Sequence, residues 1–313
     1  MQESAPVVLF VYNRPEHTKS VLESLDRCDK VELFDLFIFS DGEKNKDDEK
    51  VRMVRDIIDH YSNYSRFKSV KVIKSTKNKG LANSVISSIT SIITEKGSVI
   101  VLEDDLVVSK DFLLYMQGAL DYYRNVGNVW SITAYSPRLN STKEYPHDIF
   151  YCERAGSWGW ATWKDRWDKI DWSVSDYNKF KSNWYKRFRF SRRGPDLPKL
   201  LDLQMSGQID SWATIFCYQQ FIDNSFTVYP CVSKVDNIGF DGAGTHSQKG
   251  DYEKWHNDIN LDTRNTTFET LEVNKKIKKE FNRYYINPIH KRLMNKMNKV
   301  ITMVRTGMNS NIE

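Results

Sequence analysis

The sequence predicts an α/β fold built on a mostly parallel sheet, and three observations predict it. Short apolar runs alternate with helical periodicities over the first hundred residues. The runs are near-continuously apolar, as in strands covered on both faces, and a polar cluster follows most of them. Residues 6–12 form the first run, ended by Asn13-Arg14-Pro15, and Val21, Leu22 and Leu25 then share one helical face. Residues 33–39 give a second strand, ended by Ser40-Asp41-Gly42, and Val51, Val54, Ile57, Ile58 and Tyr61 recur at helical spacing after it. Residues 70–73, 81–93 and 98–102 read as a third strand, a third helix and a fourth strand. Beyond Glu103 the alternation becomes irregular, with a helix over about 110–124, a strand at 129–133 and then a tryptophan-rich stretch. Asp210 is placed to cap a helix over 211–222, and a strand follows at 226–229. A glycine-rich loop, Gly239-Phe240-Asp241-Gly242-Ala243-Gly244-Thr245-His246, comes next. The last forty residues predict a basic, partly amphipathic helix through Ile277, Phe281, Tyr284 and Tyr285, broken near Pro288 and resuming with Leu293, Met297, Val300 and Ile301.

Composition narrows the function classes. At 313 residues the chain holds either one large α/β domain with an appendage or two smaller ones. An apolar fraction of 40% against 28% charged residues supplies a sizeable core and excludes wholesale disorder. No apolar run approaches the roughly 18 to 20 residues that span a bilayer, and Met1-Gln2-Glu3-Ser4-Ala5-Pro6 lacks the regions of a signal peptide, so a cytoplasmic protein is expected. Cys28, Cys152, Cys217 and Cys231 are too scattered for a disulfide scaffold and form no Cys-x-x-Cys pair, and read as buried thiols. The net charge of +5 is uneven: residues 274–306 carry ten Lys and Arg against Glu280 alone, leaving the remainder near −4. An acidic body with a basic tail argues against a nucleic-acid binder, whose basic surface belongs on the folded domain.

In open α/β sheets ligands bind beyond the carboxyl ends of strands. That directs attention to Asn13-Arg14, Asp41, residues 77–80 and Glu103-Asp104-Asp105. The Walker pattern is absent, and Gly239-x-x-Gly242-x-Gly244 has neither the order nor the setting of a dinucleotide fingerprint, which removes most support for kinase-like and Rossmann dehydrogenase readings. Three adjacent carboxylates at the end of a buried strand repel one another unless a cation or a hydroxyl-rich ligand offsets the cost. Hard oxygen donors suit Mg²⁺ or Mn²⁺ completed by diphosphate oxygens. Taken alone, the same residues also fit a solvated acidic turn before a helix near Asp111. Trp158, Trp160, Trp163, Trp167, Trp172 and Trp184 make either a packing unit or a sugar-stacking surface, with Trp163, Trp167 and Trp172 reading as ordinary packing.

The ordered set Phe10-Val11-Tyr12-Asn13-Arg14-Pro15, Phe39-Ser40-Asp41, Asn78-Lys79-Gly80-Leu81, Leu102-Glu103-Asp104-Asp105-Leu106, Gly156-Ser157-Trp158-Gly159-Trp160 and Asp210-Ser211-Trp212 resembles the nucleotide-sugar glycosyltransferases of the GT-A fold. Within these it is most similar to the N-acetylglucosaminyltransferase I type, over about residues 5–250. The resemblance implies a GT-A catalytic domain over 1–271, with a nucleotide-binding half at 1–105 and an acceptor half at 106–271, followed by a basic helical tail at 272–313. It implies that Asn13, Arg14 and Asp41 hold the nucleotide, with Asp41 on the base and Lys79 nearby. Glu103 and Asp104 would contact ribose or donor sugar, while Asp105 would bind Mn²⁺ or Mg²⁺. Trp158, Gly159 and Trp160 would line the donor and acceptor pocket, the glycines letting backbone approach the sugar. A late histidine, His246, is a further candidate metal ligand.

Asp210 matches the family's catalytic base, which would deprotonate an acceptor hydroxyl for an inverting displacement of the nucleoside diphosphate. Read without the resemblance, Arg14 fits a surface ion pair, Asp41 an Asp-Gly turn and Asp210 a pure helix cap. The implied partners are a nucleotide-sugar donor, with a UDP-sugar such as UDP-GlcNAc leading, and a glycan or lipid-linked glycan acceptor in bacterial surface polysaccharide synthesis. The tail fits either an anionic membrane surface or a helix packed on the domain. Two other classes remain at this point. A sugar-nucleotide pyrophosphorylase shares the layout, although Asn13-Arg14-Pro15-Glu16 is not its glycine-rich loop. A non-catalytic carbohydrate- or membrane-binding module would use the tryptophans and the tail.

Overall fold

The computed structural model describes residues 3–45, 48–240, 255–259 and 265–285. β1 (Val7–Val11), β2 (Asp35–Ser40), β3 (Ser69–Lys74) and β4 (Ser98–Glu103) run parallel in the spatial order β3-β2-β1-β4. The sheet continues through β8 (Trp160–Trp163), β6 (Val129–Thr133), β9 (Phe226–Pro230) and β7 (Ile149–Cys152). Only β4–β8, β6–β8 and β7–β9 are antiparallel among its described pairings, so the expected mostly parallel sheet is observed. A separate two-stranded ribbon pairs β5 (Leu106–Val108) with β10 (Val235–Asn237).

The period-2 geometry of a strand explains why the first runs are continuously apolar. Val7, Leu9 and Val11 of β1, with Ile100 and Leu102 of β4, enter one core, where α1 (Pro15–Asp26), α2 (Glu49–Tyr61) and α4 (Phe112–Tyr123) deliver Val21, Leu25, Val54, Ile58 and Met116. Val8 and Phe10 of β1, with Val99 and Val101 of β4, enter a second core on the opposite face. There α3 (Leu81–Lys96) supplies Val85, Ile89 and Ile93, and α9 (Trp212–Ile222) supplies Trp212, Ile215 and Phe216. The second strand begins later than expected, because Val31–Leu33 form a 3-10 turn and Leu33 is exposed. Between β8 and α9 lie α5 (Lys164–Trp167), α6 (Tyr177–Ser182), α7 (Trp184–Ser191) and α8 (Leu197–Met205), four helices of nine residues or fewer.

The tryptophan cluster is mainly a packing unit. Trp160 is fully buried, stacked between Trp212 at 4.6 Å and Trp167 at 6.0 Å. The expectation that Trp160 contacts the donor is therefore corrected: its ring is core and presents no face to a ligand. Gly159, at φ +60°, is also explained by packing, since a Cβ there would sit 2.9 Å from Val235 and 3.2 Å from Ala134. Gly156 is closed in the same way by Thr133, whose Oγ1 would lie 2.5 Å from a Cβ. These glycines let the backbone pack closely against the end of β6. Cys28, Cys152 and Cys217 are buried free thiols and Cys231 is half-buried.

α10 (Lys275–Tyr284) packs on the sheet. Asn274 caps it by accepting from the Lys276 and Ile277 N–H groups, and its buried residues Ile277 and Phe281 meet Phe150, Cys152 and Tyr229. Among the described residues no helix is long and apolar enough to cross a membrane. The predicted continuation of the tail beyond residue 285 lies outside the described residues. Phe281→Ala is expected to cost about 3–5 kcal/mol, as for a large buried aromatic ring. Urea unfolding measures it, and a loss below about 1 kcal/mol would make α10 peripheral to the fold.

Candidate active site

The carboxyl ends of β1 and β4 meet because the two strands are neighbours, with Phe10 opposite Glu103. The chain leaving β1 passes over the acidic triplet. The Tyr12 N–H donates to Asp104 Oδ2 at 3.1 Å, and Arg14 Nη1 lies 2.8 Å from Asp105 Oδ2 and 3.7 Å from Asp104 Oδ1. Burial pushes the Glu103 and Asp104 carboxyls well above the usual range, and the charges of the neighbouring carboxylates push further in the same direction, while Arg14 opposes both. The triplet is thus a partly buried acidic site with the Arg14 guanidinium set against it. Asn13 is half-buried at the same turn.

Asp105 is also fixed from the other side. The Ile238 N–H donates to the Asp105 carbonyl at 2.9 Å, and Asn237 Oδ1 accepts from the Gly239 N–H at 2.8 Å. A Cβ on Gly239 would lie 2.5 Å from Asp105 Oδ2. The glycine therefore keeps the approach to this carboxylate clear. Hard oxygen donors with that open approach fit Mg²⁺ or Mn²⁺, for which one or two carboxylates suffice when phosphate oxygens complete the shell. Among the described residues no group of three or more His, Cys, Asp or Glu side chains forms a metal cage by itself. His246 lies outside the described residues. Ile238 and Gly239 escaped sequence reasoning as partners of Asp105, since only the β5–β10 pairing brings them there.

Asp41, at the end of β2, accepts from the Gly42, Lys79 and Gly80 N–H groups at 2.8 to 3.2 Å. It fastens the 77–80 loop, and Lys79 takes part through its backbone with its side chain exposed. Asp210 reaches the same place from the far half of the chain: its Oδ2 accepts from the Ala82 N–H at 3.3 Å in the first turn of α3. The expected cap of α9 is corrected. Ser211 is the N-cap, accepting from the Thr214 N–H, and Asp210 precedes it with an exposed carboxylate. Two carboxylates thus converge on the start of α3, where the helix dipole favours negative charge.

At the start of α9, next in the chain to Asp210, lies a cleft of about 270 Å³. Trp158, Tyr135, Trp255 and Tyr285 line it with Ser211 and Thr214 at the start of α9. Trp158 meets Tyr135 edge-on at 4.4 Å and Trp255 at 5.7 Å, and its contact with Phe240 at 5.8 Å joins the cleft to the Gly239 side of Asp105. Arg154 closes one wall, paired bidentately with Asp196 at 2.7 and 3.0 Å and stacked 3.7 Å from the Tyr285 ring. Sequence gave no signal for Arg154, Tyr135 or Trp255, because each depends on a partner far along the chain. Apolar rings with a few hydroxyl and amide groups suit a saccharide better than a charged ligand.

The comparisons with known proteins agree with this geometry at the level of the family. The family model described as Glycosyl transferase family 2 matches residues 7–190, which run from β1 into α7 and contain Arg14, Asp41 and the acidic triplet. No curated protein matches the sequence. Among solved structures, the mannosyltransferase PcManGT from Pyrobaculum calidifontis, in complex with GDP-Man and Mn2+, is 11% identical with a TM-score of 0.35, over 53% of this chain and 48% of that one. S. aureus TarS 1-349 in complex with UDP is 14% identical with a TM-score of 0.42, over 74% of this chain and 59% of that one. The chain therefore spans about half the length of these solved proteins. The match to the family model covers more than half of the sequence, and the chain belongs to glycosyl transferase family 2, with the mostly parallel sheet of a GT-A glycosyltransferase.

Proposed function

We propose that this protein transfers a sugar from a nucleoside diphosphate donor to a hydroxyl of a glycan or lipid-linked glycan, with inversion at the anomeric carbon. The observation that carries the reading is the union of Arg14, Asp104 and Asp105 at the adjoining ends of β1 and β4, beside the opening that Gly239 leaves. The donor is a UDP-sugar, with UDP-GlcNAc the first to test, in line with the N-acetylglucosaminyltransferase I resemblance. The acceptor belongs to bacterial surface polysaccharide synthesis on the cytoplasmic side, and the basic C-terminal segment keeps the enzyme on an anionic membrane. Asp41 and Asn13 frame the nucleotide, and Glu103 and Asp104 face ribose or donor sugar.

Asp105 would hold Mn²⁺ or Mg²⁺, which when bound would supply Lewis-acid stabilisation of the diphosphate. Arg14 adds a fixed positive charge where the leaving group gains negative charge. Trp158 gives the sugar a face to lie on, and the aromatic cleft excludes water from the acceptor side. Asp210, exposed beside that cleft, takes the proton of the attacking hydroxyl. Its place at the start of α3 ties the base to the loop that Asp41 secures.

Thermal shift with UDP, GDP, dTDP and CMP, each with and without Mn²⁺, tests the donor site. At about a hundred times Kd the expected gain is about 2.7 kcal/mol, lost in Asp105→Ala. No shift with any nucleotide would return the protein to the binding-module class. Asp210→Asn is expected to lower kcat by at least about a hundredfold, the scale of general-base loss, with nucleotide affinity within a few-fold. Loss of nucleotide binding in that variant would make Asp210 a structural tie for α3 instead.

A further inference from the structure

Water-facing helix surfaces are ordinarily charged or polar, and α7 exposes three large aromatic rings among its charges. Trp184, Tyr185 and Phe188 are 77%, 55% and 52% exposed on its solvent face. The opposite face is already anchored by Phe190, buried against Phe180 and Tyr218 at 5.7 and 5.6 Å. The exposed rings are therefore not needed to hold the helix down. The stretch that carries them is basic: residues 177–193 contain seven Lys and Arg and no acid. Arg187 is committed to Asp202 and Arg193 is buried against Asn224, while Lys179, Lys181, Lys186, Arg189 and Arg192 are exposed.

α10 carries a basic face of its own. Lys275, Lys276, Lys279 and Arg283 fall on its exposed side, opposite the buried Ile277 and Phe281. α10 is tied to the end of α7, since Asn282 Nδ2 donates at 3.0 Å to the carbonyl of Arg192, the residue that follows α7. Glu153 lies under both, pairing with Lys278 and sitting 4.0 Å from Arg193.

We propose that the aromatic face of α7 and the basic face of α10 form one docking surface for an anionic lipid bilayer. Aromatic rings settle at the headgroup level, and each Lys or Arg near an anionic surface strengthens binding about fivefold. The rings project from a convex helix, which suits a plane better than the groove that tracks a single nucleic-acid strand. α7 packs on α8, which contributes Leu197 and Leu200 to the aromatic cleft, so a lipid-linked acceptor would reach the cleft from the surface that binds its membrane. The inference rests on the membrane reading above and moves the contact from the far tail to the folded body.

The test is co-sedimentation of the full chain with phosphatidylcholine vesicles, with and without phosphatidylglycerol. The wild type is expected to bind only the anionic vesicles and to be released by salt. Trp184→Ala/Tyr185→Ala/Phe188→Ala should weaken that binding at least tenfold at an unchanged melting temperature. Lys275→Gln/Lys276→Gln/Lys279→Gln should weaken it at least tenfold and flatten its salt dependence. No preference for anionic vesicles in the wild type would overturn both this surface and the membrane reading. Full binding by both variants would overturn the surface alone and leave the membrane contact elsewhere. A wild-type oligomer that the aromatic variant dissociates without lipid would assign the rings to a second copy of the chain and overturn the proposal.

Discussion

Three consecutive carboxylates at the end of a strand with no water on either face constrain the ligand side of this sheet. Val99, Ile100, Val101 and Leu102 are all buried, so β4 delivers Glu103 and Asp104 where solvation is poor. The cost is met locally and by geometry. β1 pairs with β4 so that the turn after Val11 crosses the triplet, which places the Tyr12 N–H and the Arg14 guanidinium on Asp104 and Asp105. The β5–β10 ribbon then returns the chain from over a hundred residues away to close the other side with Ile238 and Gly239. Shifting the β1–β4 register by one residue would exchange the apolar faces of one strand and carry the Tyr12 N–H and Arg14 off the triplet.

That dependence explains why the first half of the fold was legible in the sequence. Each face of β1 and β4 needs its own apolar set, which leaves continuous runs such as Val7-Val8-Leu9-Phe10-Val11, and each helix there shows a 3.6-residue stripe. The strand at 129–133 and the helix after Asp210 were visible for the same reason. β7 and β8 were not, because four-residue strands rich in aromatic residues show no periodicity that separates them from loop or helix. The four short helices between β8 and α9 are held by pairs such as Tyr218 with Asp176 and Arg187 with Asp202, which no local pattern announces.

The candidate site divides along the same line. Residues that lie directly after strands, Arg14, Asp41 and Asp105, could be singled out because a strand end is a local feature with a known consequence. Residues brought in by the second half could be named but not placed. Asp210 and Ser211 are both competent helix caps, and tertiary contacts decide between them. Gln204 Oε1 accepts from the Ser211 N–H at 2.7 Å, which turns Ser211 onto α9 and sends Asp210 across to α3. Trp158 and Trp160 are two residues apart and would be expected on the same side. Gly159, at positive φ, breaks that alternation and leaves Trp158 at the cleft and Trp160 in the core.

The basic C-terminal segment shows how far charge counting reaches. A balance of +9 over 274–306 separates a tail from a body only if the segment contributes nothing to the core, and charge alone cannot say so. The apolar positions answer it for α10: Ile277 and Phe281 are four apart, share one face and are buried, while Lys275, Lys276, Lys279 and Arg283 share the other. One helix is thereby part of the fold and part of its positive surface. Because Asn282 fastens it to the end of α7, the orientation of that charge is set by the same packing that holds α8 and the aromatic cleft. A rigid charged face beside a binding cleft orients as well as attracts, which a flexible polybasic segment cannot do.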